Sequence, residues 1–456
     1  MAGIGFVLER VIDRQGLRGV AGAAAAGVLI VAGPWLISTV ALVTVSHLAV
    51  GDGQRFFAVV VYCYAFSLLL FGGYHYRFTR ILADALYSRS YTAVRRVYYR
   101  ALWVSVLAGL PPALLLSWAS GYRGAAFLAP TLLFLAVNSG WIHTLLASIL
   151  QDYRAILGAY AAGALVATAL AWAIAAPGSA GGLVIFAAAM GVTGGVLFLS
   201  VTVTLRRRIA AATQLKVQRR GGVPGTTALR RLMVIGWSLA AVLWLDKILL
   251  WGLAGAQVTG TRLWLLPAYD QTVFLAQLLA IPPTVYFVIR VETSYFRGLR
   301  SVLRALRLGT GTELDGARSQ METRYYDALR GQIALQLLMV GIAALVAPEM
   351  VGMGLAGSVP LLIVTAAASQ MYFLFYSLVV NLLYLADYRE AVRVLLATVA
   401  LAVVFTVMFA LLPGAAGAGA GYGFLAATTM GTVLAALAQR QGLRDLDWLV
   451  LTRVNA

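Results

Sequence analysis

The stretch ILQDYRAILGAYAAGALVATALAWAI, residues 149 to 174, is a short polar turn followed by a long apolar run. A helix of that length matches the ~30 Å hydrocarbon core of a bilayer. Runs of this kind recur along the whole chain, most of them about 18 to 25 residues long. They lie at roughly 19–46, 56–73, 101–118, 125–150, 155–176, 183–204, 232–253, 263–289, 331–347, 359–385, 391–412 and 421–439. The pattern predicts an all-α polytopic membrane protein with about 12 transmembrane helices.

The composition agrees with this prediction. Hydrophobic residues make up 61% of the 456 residues and charged residues only 11%, against about 25% charged residues in soluble globular proteins. The first apolar run follows Arg10, Arg14 and Arg18 and is too long for a signal peptide, so we expect an uncleaved first helix. The single cysteine, Cys63, excludes an intrachain disulfide.

The net charge of +18 is explained by membrane topology rather than by nucleic acid. With the N-terminus inside, every Lys and Arg falls in a cytoplasmic segment except Arg55, Arg123, Arg262 and the intramembrane Lys247. Such a bias is the positive-inside rule, and anionic lipid headgroups of the bilayer add to it. We therefore expect both termini in the cytoplasm and no nucleic-acid partner.

A shared tripeptide indicates an internal repeat. Asp-Tyr-Arg occurs at 152–154 and again at 387–389, each time in a tight turn before an Ala/Val/Leu-rich apolar run. The two copies hold the same place in a scheme of six helices plus six, which permits a parallel pseudo-repeat. We therefore predict two six-helix lobes, residues 1–220 with a cytoplasmic linker from about 205, and residues 221–456.

Two basic segments are predicted to face the cytoplasm, the linker 205–231 and the longest loop, 290–330. The loop contains FRGLRSVLRALRL, whose Leu/Arg period fits an amphipathic helix at the headgroup surface or a solvated connector. Its candidates for partner docking are Arg300, Arg304 and Arg307.

The sequence lacks the common signatures of an enzyme. No phosphate-binding GxxxxGK[ST] motif and no Cys/His cluster for a structural metal occurs. No loop approaches the size of a catalytic domain, which a processive polysaccharide synthase needs. We therefore predict no catalytic residue, no cofactor and no metal. A chain of twelve helices in two lobes without such a domain is most often a secondary transporter.

WLDKILLWG, residues 244–252, places Asp246 and Lys247 inside an apolar run, and Asp270 lies at a similar depth in the next run. Buried charges are costly unless paired, so intramembrane ionisable residues are functional candidates. One interpretation is a protonation or cation site that couples to movement of the lobes. The other is an internal tie between the seventh and eighth runs, which the adjacent lysine makes the simpler interpretation.

Polar stripes on two other helix faces suggest a hydrophilic cavity. Asp270 is followed at spacings of seven by two polar residues of the eighth run, where Pro282 and Pro283 permit a bend, and the tenth run has three more. Two interpretations stay open for these residues: they line a cavity, or they hydrogen-bond to neighbouring helices. Two also stay open for Trp244, deep in the seventh run: it stacks on a sugar, or it packs between helices. The candidates are Gln277, Thr284, Gln370, Ser377, Asn381 and Trp244.

Five blocks in order resemble the PelG family, the inner-membrane transporter component of bacterial Pel exopolysaccharide export. They are MAGIGFVLERVIDR (1–14), AGPWLIS (32–38), FTRILADALYSRSY (78–91), LWLDKILLWG (243–252) and FVIRVETSYF (287–296). The resemblance covers nearly the whole chain.

The resemblance implies a relative of the MOP exporters, similar to MATE transporters, in the bacterial inner membrane. It implies transport of an N-acetylhexosamine-rich polymer, with the cytoplasmic glycosyltransferase PelF and the membrane proteins PelD and PelE as partners. It carries no transport residue over to this chain. Alternatives are a flippase for a lipid-linked oligosaccharide, a multidrug exporter of the same superfamily, and a non-transporting scaffold for the glycosyltransferase.

Overall fold

A computed structural model describes the backbone of residues 2–49, 53–174, 178–212, 225–412 and 419–445. Its α-helices are α1 (Ala2–Ala49), α2 (Gln54–Tyr87), α3 (Tyr91–Ala119), α4 (Leu128–Ile149), α5 (Tyr153–Ala173), α6 (Gly178–Ala212), α7 (Thr226–Ala254), α8 (Pro267–Leu278), α9 (Ile281–Tyr286), α10 (Glu292–Leu308), α11 (Gly311–Gly352), α12 (Val359–Tyr384), α13 (Tyr388–Ala410) and α14 (Gly419–Arg444). A 3-10 turn spans Gly124–Phe127 and a π-helical turn spans Phe287–Val291. Strands β1 (Ala256–Gln257) and β2 (Trp264–Leu265) pair antiparallel.

Twelve helical segments in the described ranges are long and apolar enough to cross a membrane. They overlap the twelve predicted runs in order, which confirms the all-α polytopic fold. The eighth segment is Pro267–Leu308, so the predicted start near residue 263 is wrong. Trp264 and Leu265 instead belong to the small hairpin, and Pro267 opens α8 because its fixed φ suits the first helical turn.

The segment 290–330 is not a separate loop. Its first part is the end of the eighth helical segment, which includes α10, and its second part is the beginning of α11. Gly309 and Thr310 join the two helices. Thr310 caps α11 by accepting a hydrogen bond from the Glu313 backbone amide at 3.4 Å, while the Glu313 carboxylate accepts from the Thr310 amide at 2.8 Å. This capping box fixes the turn between the two helices, so the connector alternative is wrong. The predicted amphipathic helix is present as α10, and its location at the headgroup surface stays a prediction.

The two Asp-Tyr-Arg turns have the same geometry. Asp152 and Asp387 each cap the following helix, accepting from the backbone amides of Ala155 at 3.2 Å and Glu390 at 3.3 Å. The residue before each aspartate has a positive φ, 62° at Gln151 and 55° at Ala386, because both turns close as Schellman motifs. This shared geometry supports the predicted repeat, although the 220/221 boundary between the proposed lobes lies outside the described residues.

The chain forms two compact units. Unit 1 comprises Met1–Val31, Ala241–Gly255 and Leu266–Ala456, and unit 2 comprises Ala32–Ala240 and Ala256–Leu265. The helices α1 and α7 therefore each contribute to both units. The two six-helix lobes drawn from the sequence stay a prediction.

Close backbone contact between α2 and α7 organises part of unit 2. A Cβ added at Gly236 would lie 1.8 Å from the carbonyl oxygen of Gly72, so only glycine fits there. Small residues of this kind allow helices to approach closely in a membrane, where packing rather than the hydrophobic effect drives association. At one end of unit 2, Arg262 of the β1–β2 hairpin donates its backbone amide to the Ala119 carbonyl at 2.7 Å and places its guanidinium 3.8 Å from the Trp118 ring centre.

Candidate functional site

The charged pair of α7 is buried in unit 1. Asp246 is 1% and Lys247 5% exposed, and the lysine Nζ lies 3.1 Å from Oδ1 and 3.3 Å from Oδ2 of the aspartate. Nζ also donates to the Leu243 carbonyl at 2.9 Å and lies 5.0 Å from the Phe424 ring centre. The charge of Lys247 is therefore compensated within α7. The adjacent Asp246 carboxylate and the Leu243 carbonyl, one helical turn earlier, both accept from its Nζ.

Hydrogen bonds at two places join α7 to α8. The Tyr269 hydroxyl donates to Oδ2 of Asp246 at 2.5 Å, and the Trp251 indole nitrogen donates to Oδ1 of Asp270 at 3.0 Å. In each case one helix supplies a carboxylate and the other an aromatic donor. We call these five side chains, Asp246, Lys247, Trp251, Tyr269 and Asp270, the α7–α8 carboxylate site.

The three predicted charges lie near one another, in two hydrogen-bonded groups, and their role as a coupling or structural cluster stays a prediction. Asp246 and Lys247 do form one buried pair, but Asp270 accepts from Trp251 and from the Leu266 backbone amide at 3.1 Å rather than joining that pair. Asp270 lies in the first turn of α8, where the helix dipole favours a negative charge. The sequence placed all three residues at one depth, and it missed the aromatic donors that hold them.

The polar stripe of the eighth segment is interrupted. α8 ends at Leu278 and α9 begins at Ile281 with Pro282 and Pro283 in its first turn, so spacings of seven from Asp270 no longer mark one continuous face. The predicted bend at the proline pair is confirmed. Gln277 is half-buried and Thr284 donates to the Ala280 carbonyl at 2.7 Å, satisfying its own helix. A cavity-lining role for these two residues stays a prediction.

The three polar residues of α12 lie between helices, which corrects the expectation that they line an open cavity. Gln370, Ser377 and Asn381 are each no more than 2% exposed. Gln370 donates to the Leu279 carbonyl at 3.1 Å, a group that the α8–α9 break leaves without a helical donor. Ser377 accepts from Gln332 of α11 at 2.9 Å.

Asn381 belongs to a second polar cluster. Its amide donates to the Tyr325 hydroxyl at 3.1 Å, and that hydroxyl donates to Oε1 of Gln439 at 3.0 Å. The hydrogen-bonding alternative for the α12 stripe is therefore the one that the structure shows. These bonds connect α12 to α11 and α14 within unit 1.

Trp244 is half-buried, and its indole nitrogen has no hydrogen-bond partner among the described residues. Its ring centre lies 5.7 Å from the Lys247 Nζ, within range of a cation–π interaction. The contact explains a tryptophan beside a buried lysine without any ligand. Stacking of Trp244 on a sugar stays a prediction.

The arginine candidates of α10 share one exposed face. Arg300, Arg304 and Arg307 are exposed, while Leu299 and Val302 on the opposite face are buried. The apolar face packs on α11, so closely that a Cβ at Gly298 would lie 2.4 Å from Met321. The amphipathic pattern of α10 therefore reflects packing within the protein, and its basic face is free of that packing.

The sequence reading missed Glu292, the first residue of α10. It is only 2% exposed, and its Oε1 accepts a hydrogen bond from the Tyr384 hydroxyl. Its Oε2 has no hydrogen-bond partner within the described residues. A glutamate at the end of an apolar run is typical of the headgroup level of a bilayer. Its position inside the block RVETSYF was the one feature of the sequence that distinguished it.

A family model and several solved structures match this chain. The family model "PelG: Putative exopolysaccharide Exporter (EPS-E)" matches residues 1–450. No curated protein matches the sequence.

Several solved structures share the fold. The Vibrio cholerae MATE transporter VcmN in its bent form has a TM-score of 0.62 and 11% identity, with 98% of this chain and 99% of that chain covered. The eukaryotic MATE transporter AtDTX14 has a TM-score of 0.61 and 14% identity over 93% and 97%. A MOP superfamily transporter from Pyrococcus furiosus, whose binding pocket is described as reversed in polarity, has 0.61 and 13% over 93% and 95%. These likenesses establish a fold similar to that of MOP superfamily transporters.

Proposed function

Since the chain belongs to the PelG family of exopolysaccharide exporters, we propose that it moves a Pel-type, N-acetylhexosamine-rich polymer from cytoplasm to periplasm across the bacterial inner membrane. The family match over residues 1–450 is the observation that carries this proposal. The transporter fold and the twelve apolar segments support it. The cytoplasmic glycosyltransferase PelF and the membrane proteins PelD and PelE are the proposed partners.

The jointed eighth segment supplies a way to test transport against the scaffold alternative. Replacing Pro282 and Pro283 with alanine should favour a continuous helix across the break at Leu279 and Ala280. A transporter that needs this joint should secrete less polymer while still recruiting the glycosyltransferase. The matched control is Pro111→Ala with Pro112→Ala, a proline pair inside the unbroken helix α3.

Three outcomes bear on these alternatives. Reduced export with normal recruitment in the α9 variant alone supports transport through this chain. Normal export and recruitment in both variants would mean that export does not need this joint. Uptake of a cationic dye by vesicles that contain this chain without its partners would favour a multidrug exporter.

The orientation of the chain follows from its charge distribution. We propose that both termini and the turn between α10 and α11 face the cytoplasm, because the positive-inside rule assigns almost all basic residues there. Reporter fusions at Gly222 and Gly311 should read cytoplasmic, and one at the exposed Gly260 of the hairpin should read periplasmic. A periplasmic signal at Gly311 would overturn the twelve-span topology.

The basic face of α10 is the proposed docking surface for the glycosyltransferase. Its arginines are exposed and in excess, so they suit an acidic protein surface. Charge reversal at Arg300, Arg304 and Arg307 should reduce co-purification of the enzyme without changing membrane insertion.

The control for this docking test is the same reversal at Arg95, Arg96 and Arg100, three exposed arginines of α3. Equal loss of the enzyme in both variants would show a general charge effect. Unchanged recovery in the α10 variant would assign its arginines to lipid or solvent.

A further inference from the structure

Unit 2 contains a group of packed aromatic rings on α2 and α4. The Trp141 ring of α4 is stacked on the Phe71 ring of α2, with 6.0 Å between ring centres and 16° between ring planes. The Tyr64 ring lies 6.3 Å from that of Trp141 and is nearly perpendicular to it, at 79°. Phe71 is buried, whereas Trp141 and Tyr64 are half-buried. Two of the three rings therefore keep part of their surface accessible.

Hydroxyl groups border these rings. The Trp141 indole nitrogen donates to Oγ of Ser67 at 3.2 Å. Thr144 follows Trp141 by one turn of α4, and its hydroxyl lies 3.3 Å from the hydroxyl of Tyr160 on α5. The Tyr160 side chain is also close enough to Tyr64 to interact with it electrostatically. Each hydroxyl oxygen has two lone pairs, so these groups can accept from a further partner.

Space is open beside these groups. A Cβ added at Gly140 would meet no atom of another helix within 4 Å. Gly140 lies four residues before Thr144 and directly before Trp141, so the three positions share one side of α4. A Cβ at Gly163 of α5, where helices do pack closely, would lie 2.1 Å from Oγ1 of Thr193. The rings and hydroxyls therefore border an unfilled space rather than a tight helix contact.

Lipid is a poor occupant for this space. Thr144 and Tyr160 lie inside the fourth and fifth apolar segments, Gly124–Ile149 and Tyr153–Ala173. Exposing a hydroxyl to hydrocarbon costs free energy unless it is hydrogen-bonded. The largely exposed Trp103 and Trp172 of unit 2, at 66% and 84%, instead have the exposure of lipid-facing residues. We therefore expect the space beside Gly140 to be hydrated and open to a polar ligand.

The ring and hydroxyl groups together suit a sugar. The accessible faces of aromatic rings pack against the C–H groups of a pyranose, and a few placed polar groups fix its orientation. Hydroxyls such as those of Thr144 and Tyr160 can both donate to and accept from sugar hydroxyls. An acetamido substituent adds a methyl group for the rings and an N–H donor for a hydroxyl oxygen. These properties favour an N-acetylhexosamine over a lipid tail.

We propose that Tyr64, Trp141, Thr144 and Tyr160 form a binding site for an N-acetylhexosamine ring in unit 2, and we call these four residues the aromatic site. The proposal deepens the transport function proposed above and rests on it for the choice of sugar. Binding of a sugar to the aromatic site is measured separately from polymer export.

The direct test fills the open space without removing a ring. The purified full chain is placed in lipid nanodiscs, so that no sugar-based detergent competes, and is titrated calorimetrically with a neutral tetramer of N-acetylglucosamine. Gly140→Leu should weaken binding about tenfold or more, because the new side chain occupies the place of the sugar. The matched control is Gly158→Leu, at an exposed glycine of α5 that also has open space around it. No binding by the wild type, or equal affinity in Gly140→Leu, would overturn the proposal.

Two conservative variants serve if Gly140→Leu does not fold. Thr144→Val removes one hydroxyl and should weaken binding about threefold to tenfold, whereas Thr168→Val, at an exposed position of α5, should not. Trp141→Phe reduces the aromatic surface and should also weaken binding, with Trp172→Phe as its control. Wild-type affinity in both Thr144→Val and Trp141→Phe would refute the aromatic site.

The class of ligand has its own control. The fully deacetylated tetramer carries ammonium groups in place of acetamido groups and should bind more weakly than the neutral tetramer. Aromatic rings also attract cations through their faces. Tighter binding of the cationic tetramer that Trp141→Phe weakens would assign the rings to a cationic ligand and overturn the N-acetylhexosamine.

Secreted polymer, measured for the same variants, separates this site from the transport proposal. Loss of both binding and export in Gly140→Leu, with both retained in Gly158→Leu, supports the aromatic site as part of the export path. Lost binding with normal export would keep the sugar site and refute its part in transport. Retained binding with reduced export would overturn the site and leave the transport proposal standing.

Discussion

The buried pair of α7 should respond unequally to loss of its two charges. Lys247→Met removes the cation from a carboxylate that is 1% exposed and leaves it the Tyr269 hydroxyl alone. Breaking a buried ion pair on one side costs about 3–5 kcal/mol. Asp246→Asn should cost less, because the lysine keeps the Leu243 carbonyl at 2.9 Å and the Phe424 ring at 5.0 Å.

The double variant Asp246→Asn with Lys247→Met should recover most of the lost stability, since no buried charge is left unpaired. Tyr269→Phe removes one hydrogen bond to a charged acceptor and should cost about 1.5–3 kcal/mol. The unfolding free energy and melting temperature of the detergent-solubilised protein measure all four variants, with secreted polymer measured in parallel.

Two results would refute this reasoning. If Asp246→Asn destabilises the protein more than Lys247→Met, the carbonyl and ring contacts do not compensate the lysine. If the double variant is stable but exports no polymer, the pair is a coupling site and not only an internal tie. Recovery of both stability and export establishes the structural role.

Three further predictions use the same melting measurement. Asp270→Asn should lower the free energy of unfolding by only about 1–2 kcal/mol, because its remaining oxygen still accepts one hydrogen bond. The losses from Asp270→Asn and Trp251→Phe should be less than additive in the double variant, and full additivity would show that the two residues do not interact. Gln370→Leu should lose about 1–3 kcal/mol by leaving the carbonyl at the α8–α9 break unpaired, whereas the half-buried Gln277→Leu should be close to neutral; equal losses would contradict the capping role. Asp387→Ala should lose about 1 kcal/mol as an N-cap of α13, and an unchanged melting temperature would mean that solvent replaces the cap.

Local features of the chain were predictable because they depend on nearby residues. The length of each apolar run located the twelve segments, and Asp-Tyr-Arg located two turns whose capping aspartates act within three residues. The bend at Pro282 and Pro283 is local as well, since proline disturbs its own helix. None of these predictions required knowledge of which helices are neighbours.

The prediction of polar stripes, residues at spacings of seven in the eighth and tenth runs, was limited by interruptions of the helices. A spacing of seven marks one helix face only while the helix is regular. The break after Leu278 and the π-helical turn at Phe287–Val291 both change that phase. Residue spacing alone therefore could not establish whether Asp270 and Thr284 lie on the same helix face.

The sequence by itself determined that this chain is a bundle of apolar helices with two tight Asp-Tyr-Arg turns and a charge pair inside one helix. Only the tertiary structure decided what each buried polar group meets: Tyr269 for Asp246, Trp251 for Asp270, and Tyr384 for Glu292. The physical reason is that a helix satisfies its backbone hydrogen bonds internally. Its buried side chains must find partners on other helices, and those partners depend on packing and rotation that no single run of sequence encodes.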